Sequence, residues 1–166
     1  MTSTKKQTQN LPNIDSESED ERVSAILIPD QPFEAEENEY VELPEVSTEM
    51  LTRYQNFLLD KLHSGLRMTG REDAGYFAWE ERFSFIDNET EHKRLNQELA
   101  SYEDQFEFIC FCEAEEFGLM AKVKRMNDQK IFVIPLADLV VCDEKIKQHQ
   151  LVEDYSYWFV NFGPFI

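Results

Sequence analysis

Apolar positions along the chain follow two spacings, separated by polar stretches. Met50, Leu51, Tyr54, Phe57, Leu58 and Leu62 recur three and four residues apart, the repeat that lines one face of an α-helix. Ser47 or Thr48 is suited to cap the exposed N–H groups of that helix, Glu49 favours its positive end, and Gly65 supplies a stop. Asn88-x-x-Glu91 has the form of a capping box and opens a polar helix to about Ala100, with Leu95 and Leu99 as a thin stripe. Leu151, Val152, Tyr155, Trp158, Phe159 and Phe162 repeat the helical spacing behind a cap at Asp143, and Gly163 and Pro164 end it. Between these helices the runs change to strand length. Phe106 to Cys112, Leu119 to Met126 and Ile131 to Ile134 are short apolar segments separated by polar turns. Pro135 has no N–H to give a ladder and ends the third strand, and Leu136 to Leu139 predicts a single turn with both leucines inward.

Three short strands with tight turns predict an antiparallel meander of the SH3-like or Tudor-like kind. The expected fold is α+β: a small SH3-like β-meander packed by helices, behind an acidic disordered tail. The tail covers residues 1–46 and a single domain covers 47–166, mostly helix and loop over 47–105, meander over 106–141 and a C-terminal helix over 143–162. Leu66 to Phe85 has neither spacing. Thr69 to Gly75 has the makeup of a loop, and Tyr76, Phe77, Trp79, Phe83 and Phe85 follow it among Glu80, Glu81 and Arg82. Acids this close disfavour nucleic-acid bases, so the aromatics read as core or as a peptide-binding groove.

Charge changes the picture of the first 46 residues. They hold three basic against twelve acidic residues, a net charge of −9. Such a segment buries too little apolar area to offset its ordering entropy, which predicts a tail. Val23 to Ile28 is an apolar island within it, a strand or a docking segment that orders on contact. The whole chain of 166 residues carries −18, a balance that repels nucleic acid and anionic lipid and attracts cations or a basic protein. No apolar run approaches the roughly 20 residues of a spanning helix, and the first ten residues lack the apolar stretch of a secretory signal. A cytoplasmic, membrane-free protein is expected. Cys110, Cys112 and Cys142 sit among apolar residues and read as buried free thiols in a reducing compartment. With His149 they make a poor zinc set, because Cys-x-Cys is not the usual knuckle spacing.

Catalytic signatures are absent. The sequence has no Gly-x-Ser-x-Gly elbow, phosphate loop, dinucleotide fingerprint or His-Glu-x-x-His, and His63, His92 and His149 have no local partner to orient them. A non-enzyme is expected. Carboxylates are plentiful, and a hard cation takes oxygen ligands from acids held on loops. Glu113, Glu115 and Glu116 crowd the first turn of the meander, Asp143 and Glu144 start the last connection, and Glu153 and Asp154 lie on the final helix. No EF-hand loop is present, so a site must be assembled from separated segments.

Ile131-Phe-Val-Ile-Pro-Leu-Ala-Asp-Leu139, Asp143 and Glu153-Asp-Tyr-Ser-Tyr-Trp158 together resemble the closing segment of the small acidic calcium-binding proteins of cyanobacteria. Those proteins end with a strand, a Val-Pro-Leu-x-x-Leu turn, an acid and an aromatic helix. Pro135, Leu136, Leu139, Asp154, Tyr157 and Trp158 match in type and rough spacing, while Tyr155 stands where that family tends to have Trp. Upstream, Ala74 to Glu81 is a loose echo of an aromatic run near a Gly. The resemblance implies a bacterial, intracellular Ca²⁺ buffer or sensor without enzymatic activity. Carried onto this chain, its ligands are Asp143, Glu144, Glu153 and Asp154, joined by Glu115 and Glu116. The competing expectation is an interaction module or regulator for a basic protein partner, in one version a mimic of nucleic acid.

Overall fold

The computed structural model describes residues 18–30, 42–84, 87–114 and 116–163. The first element is one the charge balance hides. Ser18 accepts a hydrogen bond from the Glu21 amide while Glu21 reaches back to the Ser18 amide, closing a capping box that opens helix α1, Glu19–Leu27. Val23 and Leu27 on its inner face are fully buried. The apolar island is therefore part of the folded core, a helix rather than a strand, and residues 18–30 depart from the expected tail. Residues 42–46 depart from it as well, with Leu43 buried and the Pro44 carbonyl accepting from Trp158 Nε1, while 1–17 and 31–41 lie outside the described residues.

Helix α2, Thr48–Leu59, starts where its sequence predicts, with Ser47 accepting from the Met50 amide. Strand β1, Arg67–Gly70, and the short helix α3, Trp79–Phe83, occupy the stretch without periodicity. Asn88 caps helix α4, Glu89–Glu98, by accepting from the Thr90 and Glu91 amides. Strands β2 (Gln105–Phe111), β3 (Met120–Arg125) and β4 (Ile131–Pro135) form the predicted antiparallel meander. A 3-10 turn at Leu136–Asp138 leads into β5, Leu139–Val141. Helix α5 runs Lys147–Phe162, three residues later than a cap at Asp143 implies; the Asp143 carboxylate instead accepts from the Lys145 amide in the preceding turn.

The meander is three-fifths of the sheet, whose order is β4-β3-β2-β1-β5, all antiparallel. Pro135 pairs with Met120 at one edge and Leu139 with Gly70 at the other. Four residues reach at most about 14 Å, whereas four strand spacings across a flat sheet come to about 19 Å. The 3-10 turn spans that gap only because the sheet is strongly curled. It stays open: among the described residues no ladder joins β4 to β5, so the expected barrel is a curled sheet that does not close.

The register of β2 and β3 shifts between Phe108 and Cys110, so Ile109 is an extra residue. Phe106 and Phe108 face inward; beyond the bulge Phe111 pairs with buried Ala121, and Cys110 pairs with Lys122 on the outer face. Cys110 and Cys142 are exposed and Cys112 half-buried, which corrects the expectation of three buried thiols. The core lies in the hollow of the sheet. Met68, Phe106, Phe108, Val123, Ile134 and Leu139 meet Leu58 of α2 and Val152, Tyr155 and Trp158 of α5 there. Tyr54 joins them, stacked on Trp158 with ring centroids 5.4 Å apart and edge-on to Tyr155 at 5.1 Å. Helix α1 packs on α2 and α5 and completes that side.

Candidate functional site

The segment between β1 and α3 organises the concave surface of the molecule. Its ends are fixed by the 3-10 turn: the Arg71 amide donates to the Asp138 carbonyl at 3.0 Å, and the Tyr76 amide donates to the Asp138 carboxylate at 3.1 Å. The Arg71 guanidinium donates to the Ala137 carbonyl and to both carboxylate oxygens of Glu153 on α5, the closer at 2.6 Å. On the other flank the Gly70 amide donates to the Tyr102 carbonyl, and the Tyr102 amide to the Glu80 carboxylate. Gly70 has no room for a side chain, because a Cβ would lie 2.6 Å from the Phe77 ring and from the Tyr102 backbone. The segment is thereby locked between α5 and the loop before β2.

Clefts open on both sides of it. The first, of about 520 Å³, is lined by Glu72, Asp73, Glu80 and Glu81 with Phe77 and Tyr102. Negative charge there is strong enough to act on Tyr102, whose phenol is held above its ordinary value first by Glu72, then by burial, Glu103 and Glu80. The second, also about 520 Å³, shares Asp73 and adds Glu19, Asp138 and Glu153, with Arg71 the one cation among its lining residues. Burial pushes the Asp138 carboxyl up; the Tyr76 amide and Arg71 pull it partly back, and Asp73 adds to the rise. A third cleft, of about 390 Å³, adjoins the second through Gly75 and Asp138 and is apolar, walled by Tyr76, Phe117, Pro135 and Phe159.

The acids singled out in the sequence are distributed differently. Glu153 lies in the second cleft but is paired with Arg71. Asp154 is buried and bound bidentately by Arg22 of α1, with Gln150 donating to the same carboxylate. Glu116, Asp143 and Glu144 are exposed on turns, and Glu115 lies outside the described residues. Among the described residues, no three His, Cys, Asp or Glu side chains are grouped to hold a metal ion. Two of the six acids are thus committed to arginines, and the set is not assembled. The carboxylates of the first cleft have the right donor chemistry for a hard cation, yet line its walls without converging. His149 Nδ1 is bonded to the Val141 carbonyl at 2.9 Å and belongs to no cluster with the cysteines.

Sequence reading missed Glu72, Asp73, Glu80, Glu81 and Asp138 as candidates. The available signal was their position: acids on a glycine-bounded loop beside five aromatics, and a lone acid between two inward leucines.

No family model and no curated protein matches the chain. Among solved structures, the fold is similar to that of a calcium binding protein in its calcium-binding form. The two share 13% sequence identity with a TM-score of 0.50, over 93% of this chain and 100% of the other. At that identity the likeness is one of fold. No helix among the described residues is long and apolar enough to cross a membrane.

Proposed function

We propose that this protein binds Ca²⁺ without catalysing a reaction, as a cytoplasmic buffer or sensor. The observation that carries the reading is the likeness of fold, end to end, to a protein described as calcium binding. It is supported by the carboxylate-lined clefts around residues 72–81, which supply oxygen donors of the kind Ca²⁺ prefers. A net charge of −18 favours any cation that neutralises it, and binding to the folded state alone raises stability with ligand concentration. Two ligand sets compete within this reading. One is Glu72, Asp73, Glu80 and Glu81, drawn together as the cation enters; the other is the set of Glu115, Glu116, Asp143, Glu144, Glu153 and Asp154.

The test is calorimetric titration of chelator-stripped protein with Ca²⁺ at physiological salt, with Mg²⁺ as control. A saturable heat with Ca²⁺ and none with Mg²⁺ supports the reading; a flat Ca²⁺ trace overturns it. Replacing Glu72, Asp73, Glu80 and Glu81 by their amides abolishes the heat if the first cleft is the site. If the heat survives, amide substitution of the exposed pair Asp143 and Glu144, which leaves both arginine pairs intact, tests the second set.

A further inference from the structure

The third cleft differs in chemistry from the acidic clefts beside it, and each of its walls is set by a contact that the fold supplies. Tyr76 is fixed through its amide to Asp138. Phe159 stacks on buried Tyr155 with ring centroids 5.9 Å apart and planes 21° from parallel. Phe117, 53% exposed, stands beside Gly118, which takes φ +85° and leaves no space for a Cβ, one of which would lie 2.6 Å from the Phe159 ring. Pro135 ends β4 at the open edge of the sheet. A large apolar side chain left half in water beside a preformed apolar cleft is how a surface accepts an anchor residue.

The charge around the cleft identifies the occupant. Asp138 stands in the shared wall, and Asp73, Glu19 and Glu153 line the cleft beyond it, where Arg71 already pairs with Glu153. An extended segment crossing the boundary at Gly75 and Asp138 lays an apolar side chain among the aromatics and a basic one among the carboxylates. We infer that this surface docks a short basic segment of a partner protein, with Phe, Leu or Pro as the anchor beside Lys or Arg. The protein's own negative charge steers such a partner in and rejects acidic ones. Of the four acids of the first cleft this docking site shares Asp73 alone, and it does not require Ca²⁺.

Selection of short random peptides displayed against the immobilised full chain, in chelator, tests it. The recovered peptides carry a bulky apolar residue beside Lys or Arg, and synthetic copies bind saturably by fluorescence anisotropy. Phe117→Ala and Asp138→Asn each weaken them about tenfold, and raising salt weakens them further. Phe117 is exposed and Asn keeps an oxygen for the Tyr76 amide, so thermal melts of both variants match the parent. Failure to enrich any sequence overturns the proposal, as does equal binding of the recovered peptides to both variants. Dimerisation in sedimentation that Phe117→Ala abolishes also overturns it, in favour of a second copy as occupant. Because Ca²⁺ is absent throughout, none of these results bears on the calcium reading.

Discussion

Arg22 and Asp154 are 132 residues apart in sequence and form a two-pronged ion pair, with Nε to Oδ2 at 2.7 Å and Nη2 to Oδ1 at 2.9 Å. The Asp154 side chain is 1% exposed and that of Arg22 16%. The pair ties α1 to α5, reinforced by the Tyr157 hydroxyl donating to Asp20, and Arg53 of α2 donates to the Leu27 carbonyl at the end of α1. A buried charge pair adds little over a well-packed apolar pair, but removing one partner strands the other.

Asp154→Ala is therefore expected to cost about 3 kcal/mol in urea denaturation. Arg22→Met with Asp154→Leu costs far less than the single change. Loss of α1 is read separately as faster amide exchange over 19–27. A single variant as stable as the parent contradicts the account.

The Tyr54 hydroxyl is buried near this pair and, among the described residues, has no hydrogen-bond partner. Burial, with Asp154 next, drives its pKa far above the ordinary phenol value. An unpaired buried hydroxyl loses its water without compensation. Tyr54→Phe keeps the ring stacked on Trp158 and is expected to leave the melting temperature unchanged or raise it. A loss above about 1 kcal/mol would show that the hydroxyl is bonded in solution.

Arg125 closes β3 with all but 2% of its side chain buried. It donates to the carbonyls of Asn96, Gln97 and Leu99 at the end of α4 and to the carboxylates of Asp104 and Asp128, and it lies over the Phe132 ring at 4.9 Å. Lysine has three donors on a point charge and cannot reproduce that fan. Arg125→Lys is expected to cost about 3 kcal/mol by chemical denaturation, and a change within error would remove Arg125 as the anchor of α4.

Asp128 gives this anchor a pH dependence. Hydrogen bonds from Arg125, and to a lesser degree the Lys130 amide, hold its carboxyl down at about 2. A carboxyl depressed on folding contributes stability that is full above its unfolded value and is lost as pH falls toward the folded one. Asp128 is partly exposed, so the effect is small. Between about pH 4 and pH 2, Asp128→Asn should lose less stability than the parent; parallel acid titrations of the two proteins would refute this.

Gly118→Ala forces a Cβ against the Tyr155 hydroxyl and the Phe159 ring at a positive φ. The expected loss is about 2 kcal/mol, measured by thermal melting, with the Leu119 amide losing its bond to Tyr155 Oη. An unchanged melt would mean that the backbone at Gly118 shifts to make room for the Cβ.

Helices α2, α4 and α5 and strands β2 to β4 were legible because each carries its own signal: a cap, a helical stripe, or apolar residues between polar turns. Helix α1 carries one too, Ser18-x-x-Glu21 ahead of Val23 and Leu27, but it stands in a run of acids whose repulsion argues for a tail. What outweighs that repulsion is the burial of Val23 and Leu27 against the core, with Arg22 paired to a carboxylate 132 residues away. Strands β1 and β5 are four and three residues long, too short for alternation to register, and exist because β1 pairs with β2 and β5 pairs with β1.

The sequence by itself determined the local elements, the acidity that selects cations and basic partners, and the aromatic faces that form the core. Tertiary structure decided which acids are free to act. Glu153 and Asp154 read as ligands because sequence shows their charge but not the arginines opposite them. Glu72, Asp73, Glu80 and Asp138 carried no site signal until the pairing of β1 with β5 set the loop after β1 against the turn before β5. Local spacing fixes helices and strands, because their hydrogen bonds are near in sequence; a cleft is made by contacts between distant residues, and only the folded chain has them.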